Sequence, residues 1–105
     1  MAAPKAPENF IVIRDESRVN AVLRWDKVTQ DVNGSAVTVN TYKIYKADTA
    51  DSRYLTLEKT VTATAGATQL TTLDSLDPDI MYYFTVLAHS NAEGDSAQTD
   101  PATDF

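Results

Sequence analysis

The sequence predicts an all-β protein, a seven-stranded antiparallel sandwich of two sheets with almost no helix, and three observations predict it. From Tyr82 the chain alternates, with Tyr82, Phe84, Val86 and Ala88 in one phase and Tyr83, Thr85, Leu87 and His89 in the other. That is the period-2 signature of a strand with one buried face. Seven short extended segments are separated by clusters of Asp, Asn, Gly, Ser and Pro, the residues that turn a chain. The chain has 105 residues and no cysteine, which fits one domain that buries roughly 60–65% of its unfolded surface and folds without staples.

Taken in order, residues 1–6 form an N-terminal linker and residues 7–105 the domain. The first strand is expected over residues 9–14, beginning near Phe10. In the second, Val19, Ala21, Leu23 and Trp25 share a face, which makes Trp25 the largest core residue. A long polar loop follows, in which Asn33-Gly34 is expected to form a tight turn with both residues tolerating positive φ. The third strand runs from Val39 to Tyr45, and the fourth, over Arg53–Glu58, is an edge strand with Thr60–Thr68 as loop. Leu70, Leu73 and Leu76 recur every third residue, against clean alternation. The β-branched Thr71 and Thr72 favour a strand over Thr68–Leu73 in which a bulge displaces Leu70. Asp77-Pro78-Asp79 then turns the chain, and Leu76 plugs the core as it changes sheet. The last strand, Asp95 to about Thr103, contains Pro101 and is confined to a sheet edge.

The block Leu76-Asp77-Pro78-Asp79-Ile80-Met81-Tyr82-Tyr83-Phe84-Thr85-Val86-Leu87-Ala88, followed by Gly94-Asp95-Ser96, resembles a fibronectin type III domain. That pattern reads Leu-x-Pro-x-x-x-Tyr-x-Phe-x-Val-x-Ala and then Gly-x-Ser. Pro7-Glu8-Asn9-Phe10, Trp25 and the pair Tyr42 and Ile44 match further parts of it, with Phe10 in place of the usual leucine. The resemblance implies an immunoglobulin-like sandwich whose structural core includes Trp25, Tyr42, Leu76, Tyr82 and Phe84. It also implies a tyrosine corner, with the Tyr82 ring packed inward and its hydroxyl bonded to a backbone group a few residues upstream. The wording Asp31-Val32-Asn33-Gly34 through Val37-Thr38-Val39 before Tyr42-Lys43-Ile44-Tyr45 looks more like bacterial and bacteriophage examples than animal matrix ones.

Composition narrows function. The net charge is −6 and the nine basic residues are scattered, with none beyond Lys59. Nucleic acid and anionic lipid are therefore not expected partners, since both select clustered Lys and Arg. The acid excess favours solubility and mutual repulsion of copies. The N-terminus is too short and polar for a signal peptide, and no apolar run approaches the ~20 residues of a membrane helix. Catalysis lacks an inventory. There is one histidine, His89, expected as an exposed strand-end residue, and no serine has a nucleophile-elbow context. Asp77 with Asp79, and Asp48 with Asp51, read as solvated turn formers. Asp31-Val32-Asn33-Gly34 resembles the first half of a calcium loop, but the later oxygen ligands are missing as the chain runs into a strand. No metal, cofactor or catalytic residue is assigned. Asn33-Gly34-Ser35 is also an N-glycosylation sequon.

Binding or spacing remains. The Arg-Gly-Asp triplet that gives some relatives integrin binding is absent. On the outward phase, Tyr45, Tyr83 and Leu87 form a candidate interaction stripe on neighbouring strands. The expected protein is a non-catalytic module acting as spacer or weak adhesion unit, extracellular, on a cell surface or on a virion, and part of a larger chain or assembly. Its partner is a protein or a cell-surface glycan. The alternatives are a carbohydrate-binding accessory module of a secreted hydrolase and a self-assembling virion decoration subunit.

Overall fold

The structure, a computed structural model, describes residues 2–48 and 55–103. Seven strands make two antiparallel sheets, and no helix occurs among the described residues. One sheet has the order β1 (Ile11–Arg14), β2 (Ala21–Asp26), β5 (Thr68–Leu73). The other has the order β4 (Thr56–Thr62), β3 (Thr41–Ala47), β6 (Tyr83–Ser90), β7 (Gly94–Asp95). The two inner faces meet in one core. Trp25, Tyr42, Phe84, Leu23, Ile44 and Val86 are fully buried there, and Leu76 is nearly so. Trp25 stands edge-to-face with Tyr42 at 5.3 Å and with Phe10 at 6.3 Å between centroids, the arrangement that aligns ring edges with ring faces.

Alternation explains most of this. β2 reads buried at Ala21, Leu23 and Trp25 and exposed between them, and β5 does the same with Gln69, Thr71 and Leu73 inward. Two expectations change here. β5 pairs with β2 in unbroken register from Thr68 to Leu73, so no bulge displaces Leu70, which simply faces outward. The bulge lies instead between β3 and β4, at Ile44/Tyr45. The fourth strand is Thr56–Thr62, later than the expected 53–58; Arg53 and Tyr54 lie outside the described residues. As an edge strand with nearly every residue exposed, it has no buried phase to set its limits by pattern.

The last strand is regular only at Gly94–Asp95, yet the chain continues along β6. Ser96 Oγ accepts from the Ala88 N–H at 2.8 Å and Thr99 Oγ1 from the Val86 N–H at 3.1 Å. Side-chain hydroxyls thus take acceptor positions that carbonyls fill in a regular ladder. Ala102 restores backbone pairing with Phe84. At the other terminus, the segment expected as a linker is bonded to the long loop, through Lys5 N–H to Gln30 O at 3.0 Å and Val32 N–H to Ala3 O at 3.1 Å.

The corner before β6 is built around Tyr82. Its hydroxyl accepts from the Asp77 N–H at 3.1 Å, and its ring lies under Arg14 at 5.4 Å and Lys46 at 4.9 Å. Tyr82→Phe leaves the Asp77 N–H without its acceptor and is expected to cost about 1–2 kcal/mol. A chemical denaturation midpoint equal to the wild type's would remove the corner bond from the account. Arg14 points inward from β1 and is 7% exposed. It donates to the carbonyls of Ile80 at 2.7 Å, Asp77 at 3.1 Å and Arg18, so a buried cation ties the first strand to this corner.

Tyr42 carries a second phenol in the core, accepting from the Val28 N–H at 2.9 Å. Burial raises its pKa above the ordinary tyrosine value, opposed by the Val28 hydrogen bond. The folded protein therefore holds this proton more tightly than the unfolded chain does. The stability it contributes is complete below about pH 10 and falls as pH rises through the raised value, where the unfolded chain ionises first. Tyr42→Phe should flatten that alkaline loss in thermal unfolding followed against pH. A loss of the same steepness in the variant would assign it to other groups.

Candidate functional site

With no helix among the described residues, what the chain offers to a partner is two sheet faces and the loops at their ends. On the four-stranded sheet, alternation sends Tyr45, Tyr83 and Leu87 away from the core. The register places them on one face, with Tyr45 opposite Thr85, Ala47 opposite Tyr83 and Lys43 opposite Leu87. The stripe is not continuous surface, however. Leu87 is only 4% exposed and offers almost nothing to a partner, which corrects the expectation that it faces solvent. Long neighbours across the strands cover the centre of a flat sheet. Thr85, also outward, is buried and donates from Oγ1 to Gln98 Oε1 at 2.8 Å. Tyr45 and Tyr83 are half-buried. Leu57, opposite Tyr45 on β4, is 53% exposed and joins them.

At one end of this face sits a charged cluster. His89 Nδ1 lies 2.6 Å from Asp95 Oδ1, and Lys43 Nζ lies 3.3 Å from the same oxygen. His89 is therefore a half-buried, paired residue rather than a plain exposed one. The His89 hydrogen bond chiefly holds the Asp95 carboxyl below its ordinary range, with desolvation opposing and Lys43 assisting. A nucleophilic triad would need a free serine beside this His–Asp pair. The adjacent Ser90 is buried and accepts from the Glu93 N–H at 3.2 Å, so its hydroxyl is part of a turn.

The long loop also resolves as structure. Asp31 is 2% exposed, and its Oδ1 accepts from the N–H groups of Asn33 at 2.9 Å and Ser35 at 3.0 Å. Burial works to raise this carboxyl, but the backbone donors of Ser35, Asn33 and Ala2 outweigh it and hold the pKa below the ordinary value. Of the expected tight-turn pair only Gly34 has positive φ, at 85°. The Gly34 N–H closes a turn onto Asp31 O, and the Asp31 N–H pairs with Ser35 O. This is the three-residue hairpin loop in which a glycine forms the bulge. Among the described residues no group of three His, Cys, Asp or Glu side chains could hold a metal. Millimolar calcium is expected to leave the thermal midpoint unchanged, because the Asp31 carboxylate already serves its own turn. A rise of several degrees that chelator reverses would show a site here.

The three-stranded sheet holds the surface that the sequence reading passed over. Ile11, Ile13, Val22 and Leu70 all face outward and are 40%, 53%, 39% and 59% exposed. The signal was present in the sequence. Ile11-Val12-Ile13 is apolar in both phases, and Val22 lies in the phase opposite Leu23 and Trp25, so both faces of this sheet are apolar.

Comparison with known proteins bears on the whole chain. No curated protein sequence matches it. Among solved structures, pectate lyase Pel3 from Pectobacterium carotovorum superposes with a TM-score of 0.69 at 11% identity, over 96% of this chain. The chain spans 26% of that lyase chain. A myokine structure matches with a TM-score of 0.67 at 26% identity, over 97% of this chain and 96% of its own. The third fibronectin III domain of human KIAA0343 protein matches with a TM-score of 0.69 at 19% identity, over 97% and 82%. The model of the fibronectin type III domain matches residues 5–104. That match takes in both sheets, the tyrosine corner and the Trp25 core, and the chain accordingly belongs to the fibronectin type III family.

Proposed function

We propose that the chain is a non-catalytic interaction module of a larger secreted, surface or virion protein, working as a spacer or weak adhesion unit in a bacterial or bacteriophage setting. The observation that carries this reading is how the polar side chains are used. Arg14, Asp31, Gln69 and Ser96 are buried and bonded to backbone groups of the domain itself. Asp95 is engaged by His89 and Lys43. A site for chemistry needs convergent polar groups left over for a substrate, whereas a module needs a rigid frame and accessible faces. The acidic balance suits repeated display without self-adhesion, and the wording of the 31–39 loop supports the bacterial or phage setting.

A carbohydrate-binding role is a second reading, favoured by Tyr45 and Tyr83 on one flat face and by the pectate lyase among the proteins of similar fold. Affinity electrophoresis through pectin, cellulose and chitin separates the two. The interaction-module reading expects migration unaffected by polysaccharide. Retardation in one polysaccharide, abolished by Tyr45→Ala with Tyr83→Ala, would establish the glycan reading instead.

A further inference from the structure

We propose that the outward face of β1, β2 and β5 docks a short amphipathic segment of another protein, one that sets a carboxylate among aliphatic side chains against Arg24. The register builds the face in two rows. Ile13, Val22 and Thr72 form one and Ile11, Arg24 and Leu70 the other. Arg24 is exposed between two aliphatic neighbours. Among the described residues no carboxylate pairs with it, although the chain holds fifteen Asp and Glu against nine Lys and Arg. A guanidinium on an apolar face is in place for a carboxylate brought by something else. Covering it without one would desolvate an unpaired charge, which is costly.

Size and symmetry identify the class of partner. Three strands about 4.8 Å apart and four to six residues long, at about 3.3 Å per residue, give a footprint of roughly 10 by 13–20 Å. One helix or one extended segment fills that area, whereas a stable interface between globular partners takes about 800 Å² from each. A second copy of this chain is a poor occupant. Two-fold packing on this face sets Arg24 near its own image and brings together two bodies of charge −6. An aliphatic patch on the order of a few hundred Å² is at the size where a monomer's largest patch is often functional.

The inference rests on the reading of the chain as an interaction module and adds the face and the chemistry. The test uses a displayed library of amphipathic peptides of roughly 15 residues, the central position of whose apolar face is Asp, Glu, Lys or Ser, selected on the immobilised protein. Acidic peptides are expected to be enriched. Their binding should fall about tenfold or more for Ile13→Ser with Leu70→Ser, and about tenfold for Arg24→Glu, with Arg24→Lys retaining most of it. These side chains are exposed, and thermal unfolding of each variant is the check that the fold is kept. Enriched peptides that bind all variants equally would overturn this face while leaving the module reading in place. Enrichment without preference for acid would overturn the chemistry. Wild-type dimers in sedimentation that Ile13→Ser with Leu70→Ser disperses would assign the face to a second copy, and failure to enrich any peptide would overturn this face while leaving the module reading, which includes a plain spacer, in place.

Discussion

Trp25→Ala is expected to cost about 3–5 kcal/mol, or to prevent folding altogether. The indole is fully buried and is the largest side chain of the core, contacted edge-to-face by Tyr42 and Phe10. Removing it opens a cavity between two sheets whose backbones are fixed by their ladders, so the site collapses poorly. It also strips two aromatic pairs of their partner, each worth about 0.5–1.5 kcal/mol beyond area. Since the chain has one tryptophan, its emission reports this environment alone. Blue-shifted native emission that moves to the solvent value on unfolding is the expected result, and solvent-like emission from the native protein would contradict the packing.

Arg14→Met comes second, with an expected loss of about 2–3 kcal/mol. Methionine keeps the unbranched stem and much of the volume but removes the donors that hold Ile80 O, Asp77 O and Arg18 O. The first two belong to the corner where the chain leaves one sheet for the other, and the third to the turn between β1 and β2. The variant also takes one cation from the Tyr82 ring while leaving Lys46 on it. Denaturant unfolding measures the effect, and an unchanged midpoint would mean that the corner stands without its cation. Because Arg14 and Tyr82 touch, the double variant with Tyr82→Phe should lose less than the two single losses together.

The contrast between these two residues shows what the sequence made legible. Trp25 was readable because it shares a phase with Leu23 and Ala21, and a period of two needs only neighbours along the strand. Tyr82 was readable from its place after the Asp77-Pro78-Asp79 turn. Arg14 occupies an inward position of β1, but its acceptors are carbonyls of residues 18, 77 and 80, and no local pattern announces a partner some 60 residues away. The fourth strand shifted because an edge strand exposed along most of its length has no buried phase. The seventh is mostly irregular because Ser96 and Thr99 supply acceptors from their side chains. For the candidate surface, alternation puts Tyr45, Tyr83 and Leu87 in the phase opposite Tyr42, Ile44, Phe84 and Val86. It could not show that the sheet's own neighbours cover Leu87, since burial on an outer face depends on side chains from other strands. The same alternation, followed on β1 and β2, places Ile11, Ile13 and Val22 outward as well.

The central claim is that the buried polar side chains Arg14, Asp31, Gln69 and Ser96 serve the fold and that a partner is recognised by a flat sheet face rather than by the loops. Amide and methyl chemical-shift mapping of the isotope-labelled protein, titrated with an enriched acidic amphipathic peptide, tests it most directly. The account predicts saturable shifts clustered on Ile11, Ile13, Val22, Arg24, Leu70 and Thr72, with the loop residues 27–36 and 91–93 unmoved. Shifts confined to those loops, with the sheet face silent, would contradict it.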